Sequence, residues 1–289
     1  MSRNKQRTAA TTGATDSTAA TTTAPATPAP AATLSYVAPT EFVELPSRGK
    51  FYSPDHPLHG KEVIEMRYMT AKDEDILTSP ALLRNGIAID RMIENLVVDT
   101  NIKVDELLLG DKNAVILAAR ISGYGENYSV NVVCPSCEAV IDHQFDLSQI
   151  PNDYGVQPGE ENESIYLTPE GTFVTTLPKS QYSVEFKLLN GKDENHLEAL
   201  SKKLKKLKLP DATATNLLKR LVVSVNDVTD SSQISHFIDS MPAQDARYLR
   251  GCVQTVTPNV DMSQDVECTS CGAVTEMEVP FTSEFFWPE

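Results

Sequence analysis

Four of the five cysteines fall in two pairs of one form, NVVCPSCEAV at residues 131–140 and DVECTSCGAV at residues 265–274. A C-x-x-C on a tight turn between strands lets two thiolates converge on one ion while backbone amides stabilise their charge. One knuckle offers two ligands, and structural zinc takes four. Cys134, Cys137, Cys268 and Cys271 are therefore expected to close a single tetrahedral zinc site, one structural ion per chain, joining distant stretches of sequence. Four thiolates leave no open position for water, so hydrolysis is not implied. Two other uses stay open at this level. A redox C-x-x-C wants its first cysteine at a helix N-terminus to lower its pKa, whereas strands flank both pairs here. Free thiols without a ligand are the other. Cys252 lies in the apolar stripe of an expected helix and reads as a buried core thiol.

Little else has the spacing for chemistry. His56 and His59 form an H-x-x-H in a proline-rich loop, where polar surface is the simpler reading than a metal pair, and His143, His196 and His236 stand alone. There is no G-x-S-x-G, no glycine-rich phosphate loop and no H-E-x-x-H. The acidic groups in KDEDIL and GKDENHL sit in first helical turns, where they complement the helix dipole. No catalytic constellation emerges. The basic island LSKKLKKLKLP, residues 200–210, sets five lysines beside an edge of Leu200, Leu204 and Leu207 and reads as a solvated helix face. Phe285, Phe286 and Trp287 either seal the core or peg into a neighbour.

The elements that must position the cysteines repeat. RYMTAKDEDIL is echoed by KLLNGKDENHL, with Asp73 and Glu74 matching Asp193 and Glu194. The helical stripe Met92, Ile93, Leu96 and Val97 is echoed by Leu217, Leu218, Leu221 and Val222. Ala114, Leu117 and Ile121 match Ala246, Leu249 and Val253, and the cysteine pairs follow in the same order. One stripe is common to unrelated helices; four matches in order point to duplication. The expected class is α+β: internally duplicated helical units, each a strand, three helices and a CxxC zinc-knuckle β-hairpin. The alternation in YSVNVVCPSCEAVIDHQFDL and VECTSCGAVTEMEVPF supports the hairpins. Residues 37–150 form the first repeat and 181–289 the second. The connecting segment 151–180 is expected to hold a small strand pair in SIYLTP and TFVTTLP. Residues 1–36, rich in Ala and Thr with nothing large to bury, read as a disordered tail.

Bulk properties narrow the class. The 289 residues are 40% hydrophobic and 22% charged, ordinary for a globular chain of one large or two small domains. A net charge of −15 repels phosphate backbones, so nucleic acid is a poor partner. No apolar run approaches the roughly 18–20 residues needed to cross a bilayer. The charged start MSRNKQRTAA is followed by no apolar core of a secretory signal. The chain is expected to be made soluble in a reducing compartment, where metal or free thiols are favoured over disulfides.

The segment LPSRGKFYSPDHPLHGKEVIEMRYMTAKDEDIL, followed by LLLGDKNAVILAARISGYGENYSVNVVCPSCEAVIDHQFDL, resembles the baseplate hub and hub-assembly proteins of T-even-type contractile-tailed bacteriophages. In that family a GD+NA…L…R…GYG helix leads into a CPxC knuckle. The resemblance covers residues 40–150 well and the second repeat more loosely, since QDARYLRGCVQTVTP lacks the GYG and CTSC replaces CPSC. It implies a non-enzymatic virion or assembly protein of the tail baseplate, made in the host cytoplasm and partnered with other baseplate and hub proteins rather than a membrane. Two rivals remain: a zinc-ribbon nucleic-acid-binding regulator using the lysine island, and a thiol oxidoreductase.

Overall fold

The computed structural model describes residues 37–155, 164–208, 212–280 and 285–286. The readings attached to residues 1–36 and to Trp287 lie outside them. Strand β1 (Thr40–Glu44) pairs antiparallel with β2 (Val63–Arg67), Thr40 facing Arg67 and Glu44 facing Val63. Between them runs a proline- and glycine-rich loop that tucks Leu45, Phe51, Tyr52 and Leu58 into the core. Its tightest turn is at Gly49, φ +69°, where an added Cβ would lie 2.4 Å from the Lys61 amide nitrogen. Only glycine fits there.

Helix α1 (Ala71–Thr78) starts at a capping box in which the Thr70 side chain meets the Asp73 amide and the Asp73 carboxylate meets the Thr70 amide. Pro80 opens α2 (Pro80–Asn85), and left-handed Gly86 ends it. Helix α3 (Ala88–Leu96) buries Met92, Ile93 and Leu96, and the next residue, Val97, bridges back to Met66 of β2. Helix α4 (Leu109–Tyr124) is buried around most of its girth, the signature of a core helix rather than an amphipathic one. It leads into the hairpin of β3 (Asn127–Val133) and β4 (Val140–Asp146), in which Tyr128, Val130 and Val132 face inward and alternate with exposed residues.

The connecting segment contributes β5 (Asn152–Asp153), β6 (Ile165–Leu167) and β7 (Phe173–Thr176). The expected strand pair, β6 with β7, is the edge of a larger antiparallel sheet that continues through β8 (Ser183–Phe186) to β9 (Val222–Val225). Helices α5 (Gly191–Lys206) and α6 (Thr213–Leu221) lie between β8 and β9, and α7 (Ser231–Ser240) and α8 (Ala243–Val256) follow β9. Strand β10 (Asn259–Val260) pairs with β5. The hairpin of β11 (Ser263–Glu267) and β12 (Val274–Glu278) closes the described chain, apart from Phe285 and Phe286, which are buried and so seal the core.

Among the described residues, 37–155 and 181–280 each hold four α-helices, where three were expected. In the second half Met241 and Pro242 separate α7 from α8, because proline bars continuation of the preceding turn. In the first half Ser79 and Pro80 split α2 from α1 in the same way. The described residues from 38 onward form one compact unit. Among the described residues no helix is long and apolar enough to cross a membrane.

Candidate metal centre

The two knuckles have the same backbone. In the first, the Cys134 amide donates to the Ala139 carbonyl at 2.9 Å, and the Glu138 amide donates to the Cys134 carbonyl at 2.9 Å. In the second, the Cys268 amide donates to the Ala273 carbonyl at 2.9 Å, and the Gly272 amide to the Cys268 carbonyl at 2.8 Å. The residue after the second cysteine is left-handed in both, Glu138 at φ +59° and Gly272 at φ +70°. A non-glycine residue there costs about 1–2 kcal/mol. That the first knuckle holds Glu138 in this conformation shows how strongly its closing hydrogen bonds fix the turn.

The knuckles meet tip to tip. All four sulfurs lie within 4.8 Å of one another, with Cys134 Sγ 3.9 Å from Cys271 Sγ and Cys137 Sγ 3.7 Å from Cys268 Sγ. A disulfide would need about 2.05 Å, so neither contact is a bond. Four sulfurs at about 2.3 Å from a central zinc ion stand about 3.8 Å apart along the edges of a tetrahedron. The spacing and donor set of the cluster fit that geometry. Cys134 and Cys268 are buried while Cys137 and Cys271 are exposed, so the cluster is walled on its inner side and rimmed by solvent on the other.

Charge on the cluster is distributed unevenly. The amides of Cys271 and Ser270 point at Cys268 and hold its thiol down at about 6, which favours the thiolate. The Ala139 amide favours the Cys137 thiolate too, but the neighbouring sulfurs, Cys271 foremost, push that thiol up to about 12. Thiolates packed this closely cannot all ionise without a cation among them. Strands rather than helix N-termini carry both pairs, which removes the dipole that activates a redox C-x-x-C.

A second tie joins the hairpins at their base. The Gln264 amide of β11 donates to the Asp146 carbonyl at 2.6 Å, and its carbonyl accepts from the Asp146 amide at 3.3 Å. The Tyr128 hydroxyl donates to the Pro280 carbonyl at 3.3 Å. The hairpins are thus tied at their bases and in contact at their tips.

The other singled-out residues have structural partners. His56 Nδ1 accepts from the Leu58 amide at 3.1 Å and stacks on Tyr52, and His59 Nδ1 lies 2.7 Å from the Tyr52 carbonyl. His143 meets the edge of Phe145. Cys252 is buried in α8, where desolvation raises its pKa. The lysines of residues 202–208 are exposed.

The helical motif residues 110–125 assigned no chemistry by sequence reasoning turn out to organise the molecule. Gly110 lies so close to residue 258 that a Cβ would sit 2.0 Å from the Pro258 carbonyl oxygen. Buried Asp111 accepts from the Ser47 amide (2.9 Å), the Ser47 hydroxyl (2.6 Å) and the Tyr52 hydroxyl (2.7 Å), pinning the β1–β2 loop. Burial raises its pKa while those donors oppose the shift. Lys112 bridges Asp90 at 2.8 Å and Glu194 at 2.9 Å, and Asn113 donates to Asn259 at 3.0 Å. Arg120, fully buried, donates to the carbonyls of Phe285, Gly125 and Asn127. One helix thus contacts the β1–β2 loop, α3, α5, β10 and the C-terminal aromatics. The signal was in the sequence: a Gly-Asp-Lys-Asn run inside an apolar helix, where each polar side chain must find a partner if buried.

The first-turn acids also do more than complement a dipole. Asp73 is paired with Arg67 through contacts of 2.7 and 2.8 Å, and Asp193 with Lys187 and Arg220. Both carboxylates are buried.

The profile of a family described as "T4 bacteriophage base plate protein" matches residues 38–287. Comparison with curated proteins and with solved structures yields no match.

Proposed function

The chain belongs to the T4 bacteriophage base plate protein family, and from that premise we propose that it is a non-enzymatic structural or assembly protein of the phage tail baseplate whose two halves are stapled by one zinc ion. The observation that carries the reading is the convergence of Cys134, Cys137, Cys268 and Cys271 from two hairpins far apart in sequence. All four serve as thiolate ligands. Zinc bound this way leaves no site for substrate and contributes folding free energy, about 10 kcal/mol in isolated zinc modules. A rigid scaffold is what a docking component needs, because preorganised surfaces lose less freedom on binding.

The hub region is the place in the baseplate we assign to it, with other baseplate proteins as partners and the virion tail as its destination after synthesis in the host cytoplasm. Internal duplication accounts for several correspondences at once: buried capping-box acids Asp73 and Asp193, matching knuckle backbones, and Val97 and Val222 each returning to the strand that precedes the helices. Residues 37–150 and 181–289 are the two repeats. The nucleic-acid-binding alternative is weaker, since the only lysine island stands on a chain of net charge −15.

The test is to purify tagged chain from infected cells and assay both metal and tail proteins, alongside purified virions. Co-purification with baseplate components, and zinc at one per chain, supports the reading. A chain recovered without baseplate proteins and absent from both virions and tail intermediates overturns the role.

A further inference from the structure

The outward face of the β11–β12 hairpin carries Asp265, Glu267, Val274, Glu276 and Glu278, all exposed. The register places Asp265 directly opposite Glu276 and Glu267 opposite Val274. Like charges facing each other across a strand pair destabilise it. Among the described residues no cation pairs with these carboxylates. The face is an acidic surface around one valine that is 65% exposed.

The end of α5 is its opposite. Lys202, Lys203, Lys205, Lys206 and Lys208 are exposed around Leu207, itself 58% exposed. Among the described residues only Lys202 of these lysines has an anionic partner, Glu198 at 2.6 Å. The helix dipole accounts for the sign of the charge. It does not account for a leucine left in water at the centre.

We infer that the hairpin face of one copy docks on the lysine-bearing end of α5 in a second copy of this chain. The two patches are opposite in sign, each has one apolar side chain within the charge, and among the described residues neither is covered within its own chain. Every copy carries both, so the partner is always present at equal concentration. The contact joins different surfaces and is heterologous, so successive copies form a closed ring or an open row. The net charge of −15 makes whole molecules repel. At about 0.15 M salt, with a Debye length of about 8 Å, that long-range repulsion is screened while contacts at ion-pair distance are not. The patches are built from residues other than the four cysteines, so the inference stands apart from the zinc reading.

Sedimentation velocity of the full chain at rising concentration tests it. At about 0.15 M salt the wild type is expected to associate, and at about 1 M salt, with a Debye length of about 3 Å, to dissociate. Glu276→Lys with Glu278→Lys, or Lys203→Glu with Lys206→Glu, should each weaken association by about tenfold or more, because reversal turns attraction into repulsion. An equimolar mixture of the two variants should associate again. Circular dichroism checks that both remain folded, and Glu276→Gln with Glu278→Gln serves as a milder pair. A wild type that stays monomeric, association that survives both reversals, or a mixture no more associated than its parts would each overturn the inference.

Discussion

The sulfurs of Cys134 and Cys271 lie 3.9 Å apart although 137 residues separate them in the chain. Closing a loop of that length costs entropy that grows only with the logarithm of its length. Gln264 and Asp146 hold the hairpin bases together independently of the cysteines, which sets the knuckle tips facing each other. A metal ion bound there would complete an arrangement the fold itself brings close.

Cys134→Ser is expected to abolish zinc retention and free the knuckle tips, while the hairpin bases remain paired through Gln264. Hydrogen exchange at the amides of Glu138 and Gly272, which close the two turns, should accelerate relative to wild type. Cys252→Ala, in α8, should keep full metal content.

Gly110→Ala drives a methyl into the Pro258 carbonyl. Overpacking against backbone that cannot yield should cost about 3 kcal/mol. Denaturant unfolding should show a lower midpoint with an unchanged slope.

Arg120→Met leaves the carbonyls of Phe285, Gly125 and Asn127 without their donor. The expected loss is about 3 kcal/mol, with faster proteolysis near the C-terminus. Arg120→Lys should recover only part of it, because a single ammonium cannot reproduce the planar fork aimed at separate carbonyls.

Asp73 supplies a pH dependence. Burial alone would raise its pKa, but Arg67 and Thr70 overcome it and hold the carboxyl at about 2, below its ordinary 3.8. A depressed pKa contributes stability that is present above the unfolded value and lost as pH falls from about 4 through about 2. Asp73→Asn should therefore cost about 1–2 kcal/mol at neutral pH, and the gap should close over that acid window. Thermal melts of both proteins between pH 7 and pH 2 measure it.

The meeting of the two cysteine pairs was legible because a C-x-x-C between alternating strands admits few backbones, and both pairs adopt the same one. The stripe Met92, Ile93, Leu96 and Val97 was readable for a similar reason: helical spacing of large apolar residues is a local signal, and all of them are buried. The β6–β9 sheet was only half legible. Strand β9 follows α6 without a turn, so Val222 continues the helical stripe of Leu218 and Leu221 in the sequence while its backbone has already become extended. The roles of Asp111 and Arg120 were hidden because their partners, Ser47 and Phe285, lie 64 and 165 residues away, beyond any local pattern.

The central claim, one structural zinc on four thiolates, is tested most directly by elemental analysis of the purified full-length chain together with its Cys268→Ser variant. The account expects one zinc per wild-type chain and close to none in the variant. A folded wild-type chain without metal after purification under zinc-replete, reducing conditions, or a variant that retains a full equivalent, would contradict it.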